Sequence, residues 1–302
     1  MFVIKHKLFF FLVSGLLVLA SIGAIFHWGL RPGVDFSGGT LMEVRYEGER
    51  SEPATLEAML VGAGFEVSNV RTGENGLVVR MATLEEGDRD ALIALFTTDT
   101  KYTESIERLS SVGPSVGEEL RRKTVVAIIL VVLMIIFYIA FTFRKVSKPI
   151  SSWTYGFVAI ITLLHDVIVP AGMFAVLGHF QGLEADTLFV VALLTILGLS
   201  VNDTIVVFDR IRENLRVNHE RHTQEEFSLT VGKSLEQTYV RSFNTSFTVI
   251  LVLLILFFLG GPTIHSFILT LLVGQIAGTY SSIFIASPML VAIADRKLKR
   301  SL

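Results

Sequence analysis

The stretch Leu197–Asn214 reads LGLSVNDTIVVFDRIREN and decides how the rest of the chain is interpreted. It completes an apolar segment that begins near Thr187 and is long enough to cross a bilayer. Asn202 and Asp203 interrupt this segment before its charged end. A carboxylate inside a spanning helix costs about 2.5–3.5 kcal/mol on insertion scales, and such residues are usually functional. Asp203 therefore needs a partner or a function.

Composition indicates an integral membrane protein. The 302 residues are 51% hydrophobic, with a mean hydropathy of +0.61. Long apolar blocks alternate with charged segments, which is not typical of a soluble domain. The net charge of −2 says little about function, because the positions of the charged residues along the chain matter more than their total. The absence of cysteine excludes disulfides and thiolate metal sites.

Six apolar blocks are predicted to be transmembrane helices. They are residues 8–28, 124–143, 153–177, 187–208, 242–259 and 266–294. Because Lys5 and Lys7 precede the first block, a cleaved signal peptide is the competing interpretation. No small-x-small cleavage site follows, and the next residues are RPGVD at 31–35. This pattern favours a retained first helix.

A soluble segment separates the first two spans. Strands are predicted at Thr40–Tyr46, Gly76–Ala82 and Tyr102–Leu109, and helices at Pro53–Gly64 and Leu84–Phe96. This order predicts a small α+β domain of about 90 residues with its own modest core. The chain is therefore divided into residues 1–30 with the first helix, residues 31–123 as the α+β domain, and residues 124–302 with five helices.

Basic residues indicate the orientation of the spans. They cluster between spans two and three, between spans four and five, and at the C-terminus, whereas residues 179–186 and 260–265 contain no lysine or arginine. The positive-inside rule then places both termini in the cytoplasm and the α+β domain outside. The residues counted are Arg144, Lys145, Lys148, Arg210, Arg212, Arg216, Arg221, Lys233, Arg296, Lys297, Lys299 and Arg300.

Two carboxylates lie at depth. Asp166, directly after His165, is roughly 14 residues or about 20 Å into span three, near the bilayer midplane. A packing residue bonded to a hydroxyl on another helix is the alternative interpretation of Asp166. For Asp203, the polar neighbours Asn202 and Thr204 favour a hydrated pocket over simple packing.

Arg241, at the start of span five, is a candidate cation for Asp203. Counted from the external ends of their helices, Arg241 lies about 28 Å deep and Asp203 about 24 Å deep. The alternative is a positive-inside anchor that snorkels to the headgroups. Asn244, Thr245 and two further hydroxyl residues follow, which is too polar for a turn that faces only lipid.

These residues predict ion coupling. Desolvation favours a neutral carboxyl and a nearby arginine favours the ionised form, so a small movement can change the protonation of Asp203. One proton falling through 100 mV releases about 2.3 kcal/mol. We expect the proton to be the coupling ion; sodium is the alternative, because asparagine and threonine neighbours suit either ion. No cofactor and no metal site are predicted.

Other sequence patterns indicate function more weakly. Gly274 and Gly278 form a small-residue face suited to close helix packing. The segment HERH at 219–222 lacks the i, i+4 histidine pair of a zinc protease helix. No phosphate-binding loop and no basic face for nucleic acid stand out, so neither an enzyme nor a nucleic-acid partner is predicted.

Four motifs together resemble the SecF members of the SecD/SecF family of the bacterial Sec protein-export machinery. They are GVDFSGGT at 33–40, VGPSVG at 112–117, NDTIVVFDRIREN at 202–214 and RSFNTS at 241–246. The resemblance covers nearly the whole chain. It implies a SecD-like partner with six spans of its own, and a pair similar to the proton-driven transporters of the RND superfamily.

The resemblance also implies a function and a location. Such pairs assist late steps of protein export across the bacterial cytoplasmic (inner) membrane, drawing on the proton-motive force. Implied partners are the Sec translocation channel, further accessory membrane subunits and the unfolded exported polypeptide. Residues 31–123 would be periplasmic and ferredoxin-like.

The family motifs assign roles to individual residues. Asp203 takes the position of the proton-handling aspartate, Arg241 that of the functional arginine, and Asp166 the acidic position of span three. Supporting polar residues are Asn202, Thr204, Asn244 and Thr245, and the motif outside span one contributes Gly33, Asp35, Phe36, Gly38 and Gly39. Six spans are half of an RND-type unit, so another subunit must complete the proton path.

Two alternatives remain open. An RND-type exporter of small hydrophobic molecules would generally carry a much larger external domain. A passive scaffold subunit would not need polar residues inside spans four and five.

Overall fold

The structure is a computed structural model that describes residues 2–46, 52–72, 76–85, 87–98, 104–142, 150–223 and 225–301. Its helices are α1 (Phe2–Lys5), α2 (Lys7–Trp28), α3 (Val34–Ser37), α4 (Pro53–Gly62), α5 (Asp88–Thr98), α6 (Pro114–Thr142), α7 (Ser152–Phe180), α8 (Thr187–Glu220), α9 (Phe227–Leu259), α10 (His265–Ser281) and α11 (Ser287–Ser301). Its strands are β1 (Gly39–Tyr46), β2 (Val67–Thr72), β3 (Gly76–Met81) and β4 (Glu104–Val112). A 3₁₀ turn covers Pro262–Ile264, and a π-helical turn covers Ser282–Ala286.

Every predicted span is confirmed as part of a helix that is long and apolar enough to cross a membrane. The bounds differ, because α6 begins at Pro114, α8 continues to Glu220 and α9 begins at Phe227. The predicted bounds were too short there, since polar helical turns beyond the membrane carry no hydropathy signal. Residues 143–149, with the predicted loop cations Arg144, Lys145 and Lys148, lie outside the described residues.

The α+β domain between α2 and α6 is built on one antiparallel sheet with the strand order β2-β3-β1-β4. Helices α4 and α5 cover one face of this sheet. Their contact buries an apolar core made of Met42, Val44, Leu56, Leu60, Leu77, Val79, Met81, Leu92 and Phe96. The opposite face is turned toward the bundle of long helices. The expected α+β class is therefore observed.

One strand was missed from the sequence. The edge strand β2 reads VSNVRT, and most of its side chains stay partly or fully exposed. A half-exposed edge strand shows no clear alternation of apolar and polar residues, so the period-2 signal was absent. Strand β4 extends beyond the predicted end at Leu109 to Val112, and the predicted start at Tyr102 lies outside the described residues.

Small residues bring the long helices together. A Cβ atom on Gly172 of α7 would lie 2.4 Å from the Ser21 Cα atom of α2. On α10, Gly274 faces Ile196 of α8, and a Cβ on Gly278 would lie 3.1 Å from the Ser200 Cβ. The predicted packing face of Gly274 and Gly278 is thereby confirmed, and it places α10 directly against α8.

The last predicted span is not one regular helix. Between α10 and α11 the backbone forms a π-helical turn, and Ser281, Ser282 and Ser287 at its borders are fully buried. Such turns occur mostly as single insertions in α-helices and often at functional sites. At the far end of the bundle, Lys7 and Asp295 form an ion pair of 2.7 Å that joins the beginning of α2 to α11.

The contact between α2 and α7 gives a stability prediction. Gly172→Ala is expected to lower the free energy of unfolding by about 1–3 kcal/mol, because the new methyl group overlaps Ser21 backbone and cannot be relieved by side-chain rotation. Thermal unfolding in detergent measures the loss. Gly23→Ala is the matched control, since no atom lies within 4 Å of its Cβ position. Equal melting temperatures for the two variants would contradict the prediction.

Candidate functional site

Asp166 is held by donors from three helices. Its side chain is 0% exposed, and its Oδ2 accepts hydrogen bonds from Ser281 Oγ of α10, at 2.8 Å, and from Ser200 Oγ of α8. Its Oδ1 lies 2.8 Å from Nδ1 of the neighbouring His165. A buried carboxylate is tolerated when several donors satisfy it, and here α7, α8 and α10 supply them.

The backbone at Asp166 is polar as well. Pro170 lies one turn further along α7 and has no N–H group, so the Asp166 carbonyl lacks its normal helical partner. The site therefore combines a carboxylate, an imidazole and an available carbonyl inside a membrane-spanning segment.

Asp203 lies on the same face of α8 as Ser200, one helical turn away. It is 5% exposed, and its Oδ2 accepts a hydrogen bond of 3.0 Å from Ser246 Oγ of α9. Thr204 and Ser242 are buried beside it, and their hydroxyl oxygens have no partner among the described residues. Asp203 thus has fewer hydrogen bonds than Asp166 and lies among hydroxyl groups that can still form them.

Helical periodicity explains which residues meet. The buried positions of α8 recur every three or four residues and include Ile196, Ser200, Asp203, Thr204 and Val207. This is one stripe of a helix facing the bundle. Because Gly278 allows α8 and α10 to approach closely, Ser200 and Ser281 reach the same oxygen of Asp166.

Arg241 does not face Asp203. It lies on the exposed side of α9, as do Asn244 and Thr245, whereas Ser242 and Ser246 point into the bundle. Thr245 Oγ1 donates only to the Arg241 backbone carbonyl, at 2.9 Å. Within the part of the chain that the structure describes, no ion pair joins Arg241 to Asp203. Asp203 instead meets Ser246, five residues further along α9, and the functional role of Arg241 stays a prediction.

Asn202 is also exposed. It lies on the side of α8 away from the buried stripe. The predicted polar residues therefore form two groups. Thr204 lines the interior with Asp203, whereas Asn202 of α8 and Arg241, Asn244 and Thr245 of α9 are each exposed; these exposed positions are called here the α8/α9 polar face.

The glycine-rich motif outside span one binds the beginning of α8. Asp35, in the short helix α3, accepts a hydrogen bond of 2.9 Å from the Thr187 amide. Asp186 caps the same helix by accepting from the Phe189 amide at 2.9 Å. Two carboxylates thus lie at the positive end of the helix that carries Asp203. The Gly33 amide also donates to the Ala185 carbonyl at 2.8 Å.

The other motif residues connect α3 to α6. Gly38 and Gly39 have φ angles of +73° and +110°, which glycine adopts without strain. A Cβ on Gly38 would lie 3.0 Å from the Pro114 Cα atom, and one on Gly117 would lie 3.3 Å from the Phe36 carbonyl. The motif is therefore a tight junction between the sheet, α6 and α8.

Ion pairs join the sheet to the loop before α8. Arg71 and Arg80 each lie 3.6 Å from the Glu184 carboxylate, and Arg108 lies 3.8 Å from Asp186. Burial raises the pKa of Asp186, an effect that the Phe189 amide and Arg108 oppose. A cavity of about 600 Å³ lies beside these pairs, between the open sheet face and the ends of α7, α8 and α10.

These ion pairs are not predictable from the local sequence. The N-cap role of Asp186 could be predicted locally, because an aspartate directly before a helix is a common N-cap. The arginine partners are far away in the sequence, so no local pattern connects them to Glu184 or Asp186. Ser281 was missed too, although it lies three residues after Gly278 and so on the same side of α10 as Gly274 and Gly278.

Comparison with known proteins identifies the family of this chain. Residues 93–296 match the family described as "Protein export membrane protein SecD/SecF, C-terminal", and residues 23–49 match the "SecD/SecF GG Motif". A protein translocase subunit SecF from Thermobaculum terrenum is 42% identical, covering 99% of this chain and 95% of the relative. One from Synechocystis is 39% identical, covering 92% and 89%.

A solved structure is similar over almost the whole chain. The crystal structure of SecDF, a translocon-associated membrane protein from Thermus thermophilus, superposes with a TM-score of 0.81 at 34% identity. It covers 97% of this chain, which spans only 38% of that longer protein. A super-membrane-facing form of SecDF superposes with a TM-score of 0.65. This chain therefore belongs to the SecD/SecF family of protein export membrane proteins.

Proposed function

We propose that this chain is a SecF-like subunit of the Sec protein-export machinery, which uses the proton-motive force with a SecD-like partner to promote late translocation of secreted proteins. The observation that carries the proposal is the buried pair of carboxylates, Asp166 and Asp203, each bonded to a hydroxyl of another spanning helix. The names of full-length relatives, such as protein translocase subunit SecF, support the export role.

Proton coupling would work through the helix contacts of Asp203. The ionised carboxylate accepts from Ser246 of α9, whereas a protonated one can also donate to a neighbouring oxygen. One proton moving through 100 mV supplies about 2.3 kcal/mol, which biases a two-state equilibrium roughly 50-fold. Protonation of Asp203 would thus shift the packing of α8 against α9.

The SecD-like partner would cover the α8/α9 polar face. An arginine exposed on a spanning helix carries an insertion cost, which is about 2.5–3.5 kcal/mol at the helix centre and falls toward the membrane surface, and exposed amides add to that cost. Burial against a second set of helices removes this cost and brings Arg241 to an interface. The longer SecDF relative, of which this chain spans 38%, is consistent with a larger assembly.

The membrane topology, location and partners of the chain follow from the same proposal. Both termini would be cytoplasmic, residues 31–123 periplasmic, and the membrane the bacterial inner membrane. The strand order β2-β3-β1-β4, with two helices on one face, supports a ferredoxin-like domain. Partners would include the Sec channel, further accessory subunits and the unfolded exported polypeptide. The chain would act without enzymatic chemistry or a cofactor, with the proton as the coupling ion and sodium as the alternative.

Asp203→Asn tests the proton-coupling proposal. Asparagine keeps the oxygen that accepts from Ser246 but cannot exchange a proton, so we expect assembly to persist and gradient-dependent export to be lost. The measurement is the rate of precursor translocation into proteoliposomes that contain the complex, with and without an imposed proton gradient. Asp209→Asn, on the same helix and exposed, should behave like the wild type. Full gradient-dependent export in Asp203→Asn would exclude the proton role and leave the scaffold interpretation.

Arg241→Ala tests the interface proposal. The isolated chain should keep its melting temperature, because the Arg241 side chain lies on the exposed side of α9 and the hydrogen bond from Thr245 uses the backbone carbonyl. Gradient-dependent export by the complex should fall toward the level of Asp203→Asn. Arg216→Ala, an exposed arginine near the end of α8, is the matched control. Unchanged export in Arg241→Ala would reject the proposed role.

A further inference from the structure

The second nitrogen of His165 is buried without a partner. The residue is 5% exposed in the middle of α7, and its Nδ1 lies 2.8 Å from Asp166 Oδ1. No atom of the described residues hydrogen-bonds to Nε2. The imidazole stacks on the Tyr280 ring of α10, with 6.3 Å between the ring centroids. A polar atom at this depth without a partner needs an explanation.

The contacts of Asp166 indicate which proton His165 carries. Asp166 Oδ2 already accepts from Ser200 and Ser281, and an ionised carboxylate can also accept at Oδ1. The Nδ1 atom of His165 then bears the hydrogen, and Nε2 carries a free lone pair. Proton uptake at Nε2 would create an imidazolium beside the carboxylate and change the net charge of the pair from −1 to 0.

We propose that His165 and Asp166 form a second proton-binding site in this chain, in which Nε2 of His165 takes up the proton. The inference rests on the proposed proton-coupled function and adds a residue to it. The site is joined to Asp203 through α8, because Ser200 donates to Asp166 and lies one turn from Asp203. Occupancy of the site changes the charge that Ser200 and Ser281 face, and therefore the contact of α7 with α8 and α10.

The main charged group beside the His165 imidazole is the Asp166 carboxylate. Helix α7 packs against α2, α6, α8, α10, the π-helical turn and α11. Tyr280 of α10 stacks on the His165 ring, and Asp166 on its own helix contacts Nδ1, whereas Asp203 of α8 interacts electrostatically with Asp166. Residues 8–26 of α2 and 282–294 of the last span contain no ionisable side chain. A charge on His165 is therefore balanced by Asp166, which in turn interacts with Asp203.

The test uses the reconstituted complex with a pH-sensitive dye inside the vesicles. His165→Asn keeps a donor for Asp166 but cannot take up a proton, and we expect proton flux at neutral pH to fall roughly 100-fold. The remaining flux should lose the pH dependence that proton uptake by the imidazole confers. His179→Asn is the matched control, because His179 lies exposed at the end of the same helix and stacks on Trp28. A wild-type rate and pH profile in His165→Asn would overturn the inference.

A second measurement tests the inference even if the His165→Asn variant does not assemble into the complex. The chain has seven histidines, so a protein in which the other six are replaced retains only His165 for ¹⁵N NMR. We expect its Nε2 resonance to move between the neutral and protonated positions as pH is lowered. A resonance that stays neutral throughout would overturn the inference.

The two proposals fail in different ways. If Asp203→Asn retains gradient-dependent export, the proposed function is wrong whatever His165 does. If Asp203→Asn loses it while His165→Asn keeps the wild-type pH profile, only the second proton-binding site is wrong.

Discussion

The burial of two carboxylates in membrane-spanning helices is the constraint on which the rest of the bundle depends. Each carboxylate loses its water and must find donors on neighbouring helices, because a helix backbone has no free N–H groups in its interior. Asp166 finds them on α8 and α10, and Asp203 on α9. These contacts set the rotation of four helices about their own axes, which apolar packing alone would define far less sharply.

The bundle can meet this requirement because small residues allow its helices to approach. Gly278 admits Ser200, and the π-helical turn after Ser281 follows directly on the second donor to Asp166. The same arrangement leaves the α8/α9 polar face uncovered. Arg241 is thus exposed on a spanning helix although the interior carboxylates have their donors.

Helix α8 connects the two ends of the molecule. Its first turn is bound by Asp35 and Asp186, its middle carries Ser200 and Asp203, and it continues without interruption to Glu220. The ion pair of Arg108 with Asp186 brings the sheet to the same helix end. The α+β domain, the glycine-rich motif and Asp203 are therefore connected through one helix.

The sequence by itself determined the six spans, the α+β class of the domain and the family. Hydropathy and motifs are properties of consecutive residues, so they can be recognised without knowing which distant residues lie nearby. Strand β2 had too little alternation to be found. Only the tertiary structure decided that Asp166 meets Ser200 and Ser281, that Asp35 binds the start of α8, and that Arg241 faces away from Asp203. Each of these depends on the rotation and register of helices and strands distant in sequence, which packing between them sets and no local pattern encodes.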